Sequence, residues 1–203
     1  MTLNGAAAKA SAIVLAGGKS SRMGSPKCLL PFDGEPLIAH IVRRLRSLFA
    51  EAIVVAAPEQ EVPPLAAKIV RDEVPFQGPV GGMYYGLQAA SAEICFVTAC
   101  DVPFLDLPTI EFLLAALGAA DVAVPHWDGR LQPLFAVYRR SLLPLLKQQL
   151  AAGQLRPTFL CEKVDTQIVS VAELSGADPQ GLSFININEP EDYQSALRRW
   201  RSR

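Results

Sequence analysis

AIVLAGGKSSRMGSPKCLLPF, residues 12–32, is the stretch on which the fold turns. Its first five residues are a short apolar run that stops at Gly17-Gly18, the pattern of a strand buried on both faces and ended by a turn. Such a strand needs partners on both edges and cover on both faces, and the rest of the chain supplies candidates. Residues 52–57 (AIVVAA) and 94–99 (ICFVTA) repeat the β-rich apolar pattern, residues 68–71 (KIVR) do so weakly, and residues 121–125, 134–138 and 166–171 read as further strands. Helical periods lie between them. Residues 36–49 carry Leu37, Ile41, Leu45 and Leu48 on one stripe with Arg43, Arg44 and Arg46 mainly off it, an amphipathic helix that opens just after a proline. Residues 79–90, 107–117, 141–152 and 190–200 are the other predicted helices. This alternation predicts an α/β three-layer sandwich with a mainly parallel central sheet. The turn at Asp128-Gly129, ahead of residues 134–138, leaves room for an antiparallel pair.

With 203 residues the chain has the size of a single domain, here read as residues 12–203 behind a disordered tail over residues 1–11. Half of the residues are hydrophobic and 19% are charged, which excludes a disordered chain. Nineteen Lys and Arg against twenty Asp and Glu leave a net charge of -1, so the chain is no electrostatic trap for nucleic acid or an anionic membrane. The N-terminal stretch has one lysine and no long apolar core, and no apolar run approaches the length of a membrane helix, which points to a cytosolic protein. Cys28, Cys95, Cys100 and Cys161 contain no C-x-x-C pair and only His40 and His126 accompany them, so free thiols are expected rather than a zinc site. His40 is read as a helix-flank residue and His126 as a strand-end residue.

In a sheet of this kind ligands bind at the carboxyl ends of the strands. Two junctions there carry chemistry. After the first strand, Gly17, Gly18 and Gly24 let backbone N–H groups approach an anion, while Arg22 and Lys27, with Lys19 as a third candidate, supply positive charge from a solvent-facing loop. The spacing is neither that of a P-loop nor G-x-G-x-x-G. At the end of residues 94–99 stands Asp101, a carboxylate placed to hold a hard divalent cation against a polyphosphate. Its other reading is a helix N-cap, but Asp106 lies nearer the helix at Leu107 and meets that need. Gly82 and Gly86, four apart within residues 79–90, have two readings that stay open here: close helix–sheet packing, or close approach of a ligand.

LAGGKSSRMGSPK (residues 15–27) resembles the nucleotide-binding signature of the Rossmann-like nucleotidyltransferases. Four later blocks, RDEVPFQGPVGGMYYGL (71–87), VTACDVPFL (97–105), LQPLFAVYRRSL (131–142) and FININEPEDY (184–193), are similar to successive blocks of the molybdenum cofactor guanylyltransferases. The resemblance implies transfer of GMP from GTP to the terminal phosphate of molybdopterin, with Mg2+ and release of pyrophosphate. It places Leu15, Ala16, Gly17, Gly18, Arg22 and Lys27 in the GTP-binding loop, makes Asp72 and Asp101 the two acidic positions with Asp101 on the magnesium, and sets Asn186 and Asn188 near the second substrate. Gly78, Gly81 and Gly82 of GPVGG would expose backbone groups to the base. Asn186 and Asn188 keep a second reading as turn and cap residues before the Pro190 helix. Molybdoenzymes or their chaperones would be the protein partners such a product implies.

The chain departs from the family where an asparagine is expected just after the second strand: VVAAPEQ (54–60) places Ala56 and Ala57 there. The stretch from Met23 to Ile38 is also close to cytidylyltransferases acting on the same cofactor. A cytidylyltransferase, an adenosylcobinamide-phosphate guanylyltransferase and a non-catalytic nucleotide sensor are therefore the alternatives. Arg22, Lys27 and Asp101 together weigh against the sensor.

Overall fold

The computed structural model describes residues 5, 7–17, 26–73 and 77–202. In chain order its elements begin with β1 (Ala10–Leu15), the two-residue strands β2 (Pro31–Phe32) and β3 (Glu35–Pro36), α1 (Leu37–Arg46), β4 (Glu51–Ala56) and β5 (Lys68–Arg71). There follow α2 (Gly78–Ala89), β6 (Ile94–Ala99), α3 (Leu107–Ala116), β7 (Val122–Trp127), β8 (Arg130–Leu131), β9 (Phe135–Arg139) and α4 (Leu143–Ala151). The chain closes with α5 (Thr158–Cys161), β10 (Thr166–Val169), α6 (Val171–Leu174) and α7 (Pro190–Arg201).

The central sheet runs in the order β5-β4-β1-β6-β9-β7-β10, with β8 attached to β7. β1 pairs in parallel with β4 and β6, β4 with β5, and β7 with β10. β9 is antiparallel to both β6 and β7, the antiparallel pairing for which the Asp128-Gly129 turn leaves room. All six residues of β1 are buried. In register, Ala12 faces Ala52 and Phe96, Ile13 faces Ile53 and Val97, and Leu15 faces Val55. The two-residue period then sends Ala12, Val14 and Phe96 to a core shared with Ile41 and Leu45 of α1 and Leu113 of α3. Ile13, Leu15 and Val97 go to the opposite core with Met83 and Leu87 of α2 and Leu146 of α4. Sheet and two helical layers are thus the expected sandwich. Each large aliphatic side chain buried in this way contributes about 1.5–3 kcal/mol.

The strands and long helices fall within a few residues of the sequence reading. The expected tail over residues 1–11 is one difference: Ala7–Lys9 form a 3₁₀ turn with Ala7 buried, and Ala10 and Ser11 already belong to β1. Ser11 stands opposite Glu51 and its hydroxyl donates to that carboxylate, so a polar residue is satisfied inside the ladder where an apolar count would not begin. His40 is a second difference. It is fully buried, its ring 5.0 Å from Phe32 and 4.8 Å from Trp200, because α7 closes over the β2–β3 hairpin and α1. Burial, then Arg43 and Arg44, hold its pKa below the usual histidine value. The hairpin itself turns at Asp33 (φ 54°) and Gly34 (φ 80°), a pair of left-handed residues. Among the described residues no helix is long and apolar enough to cross a membrane.

The helix α2 lies against β1 and β4 through its glycines. A Cβ on Gly86 would come within 2.4 Å of Ile13 Cγ2 and 3.3 Å of Val55 Cγ2, whereas one on Gly82 would meet Leu15 Cδ2 at 3.1 Å. Ile13 is β-branched, fully buried and fixed in the central strand, so it cannot yield as the tip of Leu15 can. Gly86→Ala is therefore expected to destabilise the protein by about 1–2 kcal/mol in denaturant unfolding, the overpacking strain outweighing alanine's helix propensity. Gly82→Ala, measured in the same way, is expected to stay near wild type.

Candidate active site

The ladder continues one residue past the carboxyl ends of the central strands. Ala16 N–H donates to Val55 O at 2.8 Å, Cys100 N–H to Leu15 O at 3.0 Å, and Asp72 N–H to Ala56 O at 2.9 Å. Past these bonds a cleft of about 290 Å³ opens. The end of β1 contributes Leu15, Ala16 and Gly17, and the end of β6 contributes Ala99, Cys100 and Asp101. Lys27, the first turn of α2 at Gly78 and Pro79, and Leu134 complete the lining. The N-terminal end of α2 thus turns the positive end of a twelve-residue helix toward the cleft.

Three residues far apart in sequence meet here. Lys27 Nζ lies 3.6 Å from Asp101 Oδ2 and donates to Asn188 Oδ1 at 3.0 Å. The Lys27 side chain is 19% exposed and that of Asp101 22%, so the lysine sits over the carboxylate rather than on a solvent-facing loop. The cause is local: Lys27–Leu29 form a 3₁₀ turn that buries Cys28 and swings Lys27 back over the strand ends. Burial pushes the Asp101 carboxyl above the usual aspartate range, and the Lys27 charge pulls it part of the way back. Asp101 is not a cap. Asp106 Oδ2 accepts from Thr109 N–H at 2.9 Å and serves α3, as its place in the sequence suggests.

The segment carrying Asn188 is anchored from below: Ile187 is buried and its N–H donates to Asp101 O at 2.9 Å. Asp192 Oδ2 accepts from the N–H groups of Asn188 and Glu189, so α7 is capped by Glu189 and Asp192, and the Asn188 side chain is left for Lys27. Asn186 is exposed two residues earlier on the same extended segment. Asp72 sits beyond the end of β5, its pKa raised by burial, and its Oδ1 has no hydrogen-bond partner; neither does Gln77 Oε1 among the described residues. Of the GPVGG glycines, Gly78 borders the cleft while Gly81 and Gly82 lie inside the first turns of α2. GPVGG is therefore helix rather than loop, and Gly81 N–H is bound to Gln77 O at 3.3 Å. Gly82 faces Leu15 in the core, which is the packing reading of the two glycines. Gly18, Lys19, Arg22 and Gly24 lie outside the described residues.

Leu134 lines the cleft and Gln60 lies behind its wall, and the sequence singles out neither. Leu134 is an ordinary apolar residue before a strand and offers no signal. Gln60 offers one: it is the first side-chain amide after β4, three residues beyond the alanines that stand where an amide was expected. Its Nε2 reaches Ala16 O at 2.9 Å.

Gly17, Lys27 and the partly buried Asp101 carboxylate meet at the strand ends beside the positive end of α2, an arrangement suited to a nucleotide's phosphates. The family profile described as the MobA-like NTP transferase domain matches residues 12–165, and the chain belongs to that family. It is 34% identical over 185 residues to a probable molybdenum cofactor guanylyltransferase of Carboxydothermus hydrogenoformans, covering 91% of this chain and 93% of that one. It is 30% identical over 193 residues to the molybdenum cofactor guanylyltransferase of Syntrophotalea carbinolica, covering 94% and 90%. The solved structure of molybdopterin-guanine dinucleotide biosynthesis protein A from Archaeoglobus fulgidus shares the fold at a TM-score of 0.80, with 24% identity over 95% of this chain and all of that one (100%).

Lys27→Ala removes the positive charge that Asp101 and Asn188 share. The kcat/KM for the nucleotide is expected to fall about ten- to a hundredfold, the worth of one charge-assisted contact, with the fold retained by circular dichroism. The Asp101 carboxyl, stripped of its cation, should titrate at higher pH in the variant than in the wild type when followed by NMR.

Proposed function

We infer that this chain is a molybdenum cofactor guanylyltransferase, which transfers GMP from GTP to the terminal phosphate of molybdopterin and releases pyrophosphate. The observation that carries the reading is likeness to proteins of that name over more than nine-tenths of the chain, at 34% identity for one of them. The convergence of Lys27, Asp101 and Asn188 supports it.

The reaction makes a bond from an acceptor phosphate oxygen to the α-phosphorus of GTP and breaks the bond from that phosphorus to the bridging oxygen of pyrophosphate. A phosphate monoester is already mostly ionised at neutral pH, with a second pKa near ~6, so the nucleophile needs no general base. That fits a cleft whose lining among the described residues contains no histidine. The barrier is instead the approach of one anion to another, and the site answers it with positive potential and alignment. Lys27 faces the triphosphate as a point charge, and Gly17 and the start of α2 add backbone N–H groups. Asn188, tied to Lys27, lies on the side from which the second substrate enters.

Asp101 suits a magnesium ion. It is a hard oxygen donor whose burial raises the cost of its charge, so a cation beside it is favoured. Asp101 would hold the ion as a carboxylate ligand. When bound, Mg2+ supplies neutralisation of the charge on the reacting phosphates. Asp101→Asn keeps the size of the side chain and removes its charge. Near-complete loss of transfer is expected, with the melting temperature little changed; full activity at ordinary Mg2+ would return Asp101 to a structural role.

Base choice rests on Asp72 and Gln77 rather than on the glycines that follow them. Among the described residues these two buried oxygens accept no hydrogen bond, and such a pair suits guanine, whose N1–H and N2–H groups are adjacent donors. Cytosine presents a single donor, N4–H. An unpaired buried group costs about 1–3 kcal/mol, so turnover in an equal mixture of GTP and CTP should favour GTP by tenfold or more, measured by the product formed on molybdopterin. Preference for CTP would move the chain to the cytidylyltransferases.

A further inference from the structure

Gln60 does not line the cleft, yet its carboxamide ties the turn after β4 to two segments that do. β4 ends at Ala56 and the chain folds back through a turn closed by Gln60 N–H to Ala57 O at 3.2 Å. Arg71, the last residue of β5, clamps that turn: its Nη1 donates to Ala57 O at 2.9 Å and to Gln60 O at 2.6 Å. So held, the Gln60 side chain reaches across the strand ends. Its Oε1 accepts from Ala57 N–H at 3.2 Å, and its Nε2 donates to Ala16 O at 2.9 Å and to Cys28 Sγ at 3.1 Å.

The bond to Ala16 O has a geometric consequence. A trans peptide points its C=O and N–H in opposite directions, so drawing Ala16 O toward Gln60 turns the Gly17 N–H away from it. That N–H has no backbone partner among the described residues, and Gly17 lines the cleft. Because residue 17 is glycine, the Ala16–Gly17 peptide could flip at little steric cost, and a flipped peptide would set a carbonyl oxygen where a phosphate must come. The second N–H of the same amide braces Cys28, the neighbour of Lys27.

We propose that Gln60 is a positioning residue for the nucleotide phosphates: it locks the Ala16–Gly17 peptide with its N–H available and steadies the turn that bears Lys27. The proposal rests on the reading of the chain as a GTP-dependent transferase. It predicts a selective effect. A residue that only stabilised the fold would lower the melting temperature and reduce both substrates' parameters together, whereas this one acts on the nucleotide alone.

The test uses the full chain with Gln60→Met, which keeps the volume and removes the hydrogen bonds, and Gln60→Glu, which keeps the acceptor for Ala57 and loses the donors. For Gln60→Met, the KM for GTP and its Kd by calorimetry with Mg2+ and no acceptor should rise about tenfold, while kcat and the KM for molybdopterin change by less than about threefold. Gln60→Glu should be weaker still, since a carboxylate repels the Ala16 carbonyl and favours the flip. GTP affinity unchanged in either folded variant, or parallel losses in both substrates that track a fall in melting temperature, would overturn the assignment. Should Gln60→Met not fold, Gln60→Glu decides alone. A wild type that binds GTP without turning it over would count against the transferase reading, and the comparison of GTP affinities would still decide the role of Gln60.

Discussion

β1 is paired on both edges and covered on both faces, so its backbone groups are satisfied within the sheet until the ladder runs out at Ala16. That constraint orders much else in the molecule. Its two neighbours are parallel strands reached through helices, which puts the open carboxyl ends of β1, β4 and β6 on one side. Any group placed just past those ends is brought near the others whatever its distance in sequence. Gly17 and Asp101, which follow the ends of β1 and β6, line the cleft there, and Asp72 follows the end of β5 on the same side of the sheet.

The same packing explains the electrostatics. A carboxylate at the end of a fully buried strand loses much of its hydration, and Asp101 shows the result in a raised pKa. Lys27 opposes this from 3.6 Å but divides its attention with Asn188. One cation shared between a carboxylate and an amide is a modest counterweight to a buried charge. A ligand that brings its own cation to Asp101 relieves the same cost.

The strands and long helices are legible in the sequence because their apolar periods are uncontested, and Gly17 and Asp101 stand out because they follow strand ends. The beginning of β1 is not, since Ser11 is polar and becomes acceptable only through Glu51, a residue forty positions away. The β2–β3 hairpin was missed although Asp33-Gly34 is a hairpin turn, because its strands are two residues long and show no alternation. His40 read as a flank residue because its covering comes from Trp200, at the far end of the chain. The GPVGG segment read both as helix and as a base-facing loop, and only the bond from Gly81 to Gln77 removes its backbone from the second role. Gln60 carried a chemical signal but no positional one, for a side chain that acts on another segment's peptide plane leaves no periodic mark.

The matched family profile ends at residue 165, yet the contacts of Lys27 do not. Asn188 is carried by the segment that follows, and its placement depends on two attachments. Ile187 is bound to the backbone of Asp101 itself, so the segment is registered on the very residue whose lysine it shares. Farther along, α7 is fixed to the β2–β3 hairpin, where the Tyr193 hydroxyl donates to Pro31 O and Trp200 packs on Phe32 at 5.4 Å. That hairpin directly follows the turn bearing Lys27. The C-terminal segment therefore touches the lysine from both sides, through Asn188 at its tip and through the hairpin at its base. Loosening α7 should reach the active site by way of Lys27 before it reaches the sheet, because the two cores on either side of β1 are built mainly from elements that precede it.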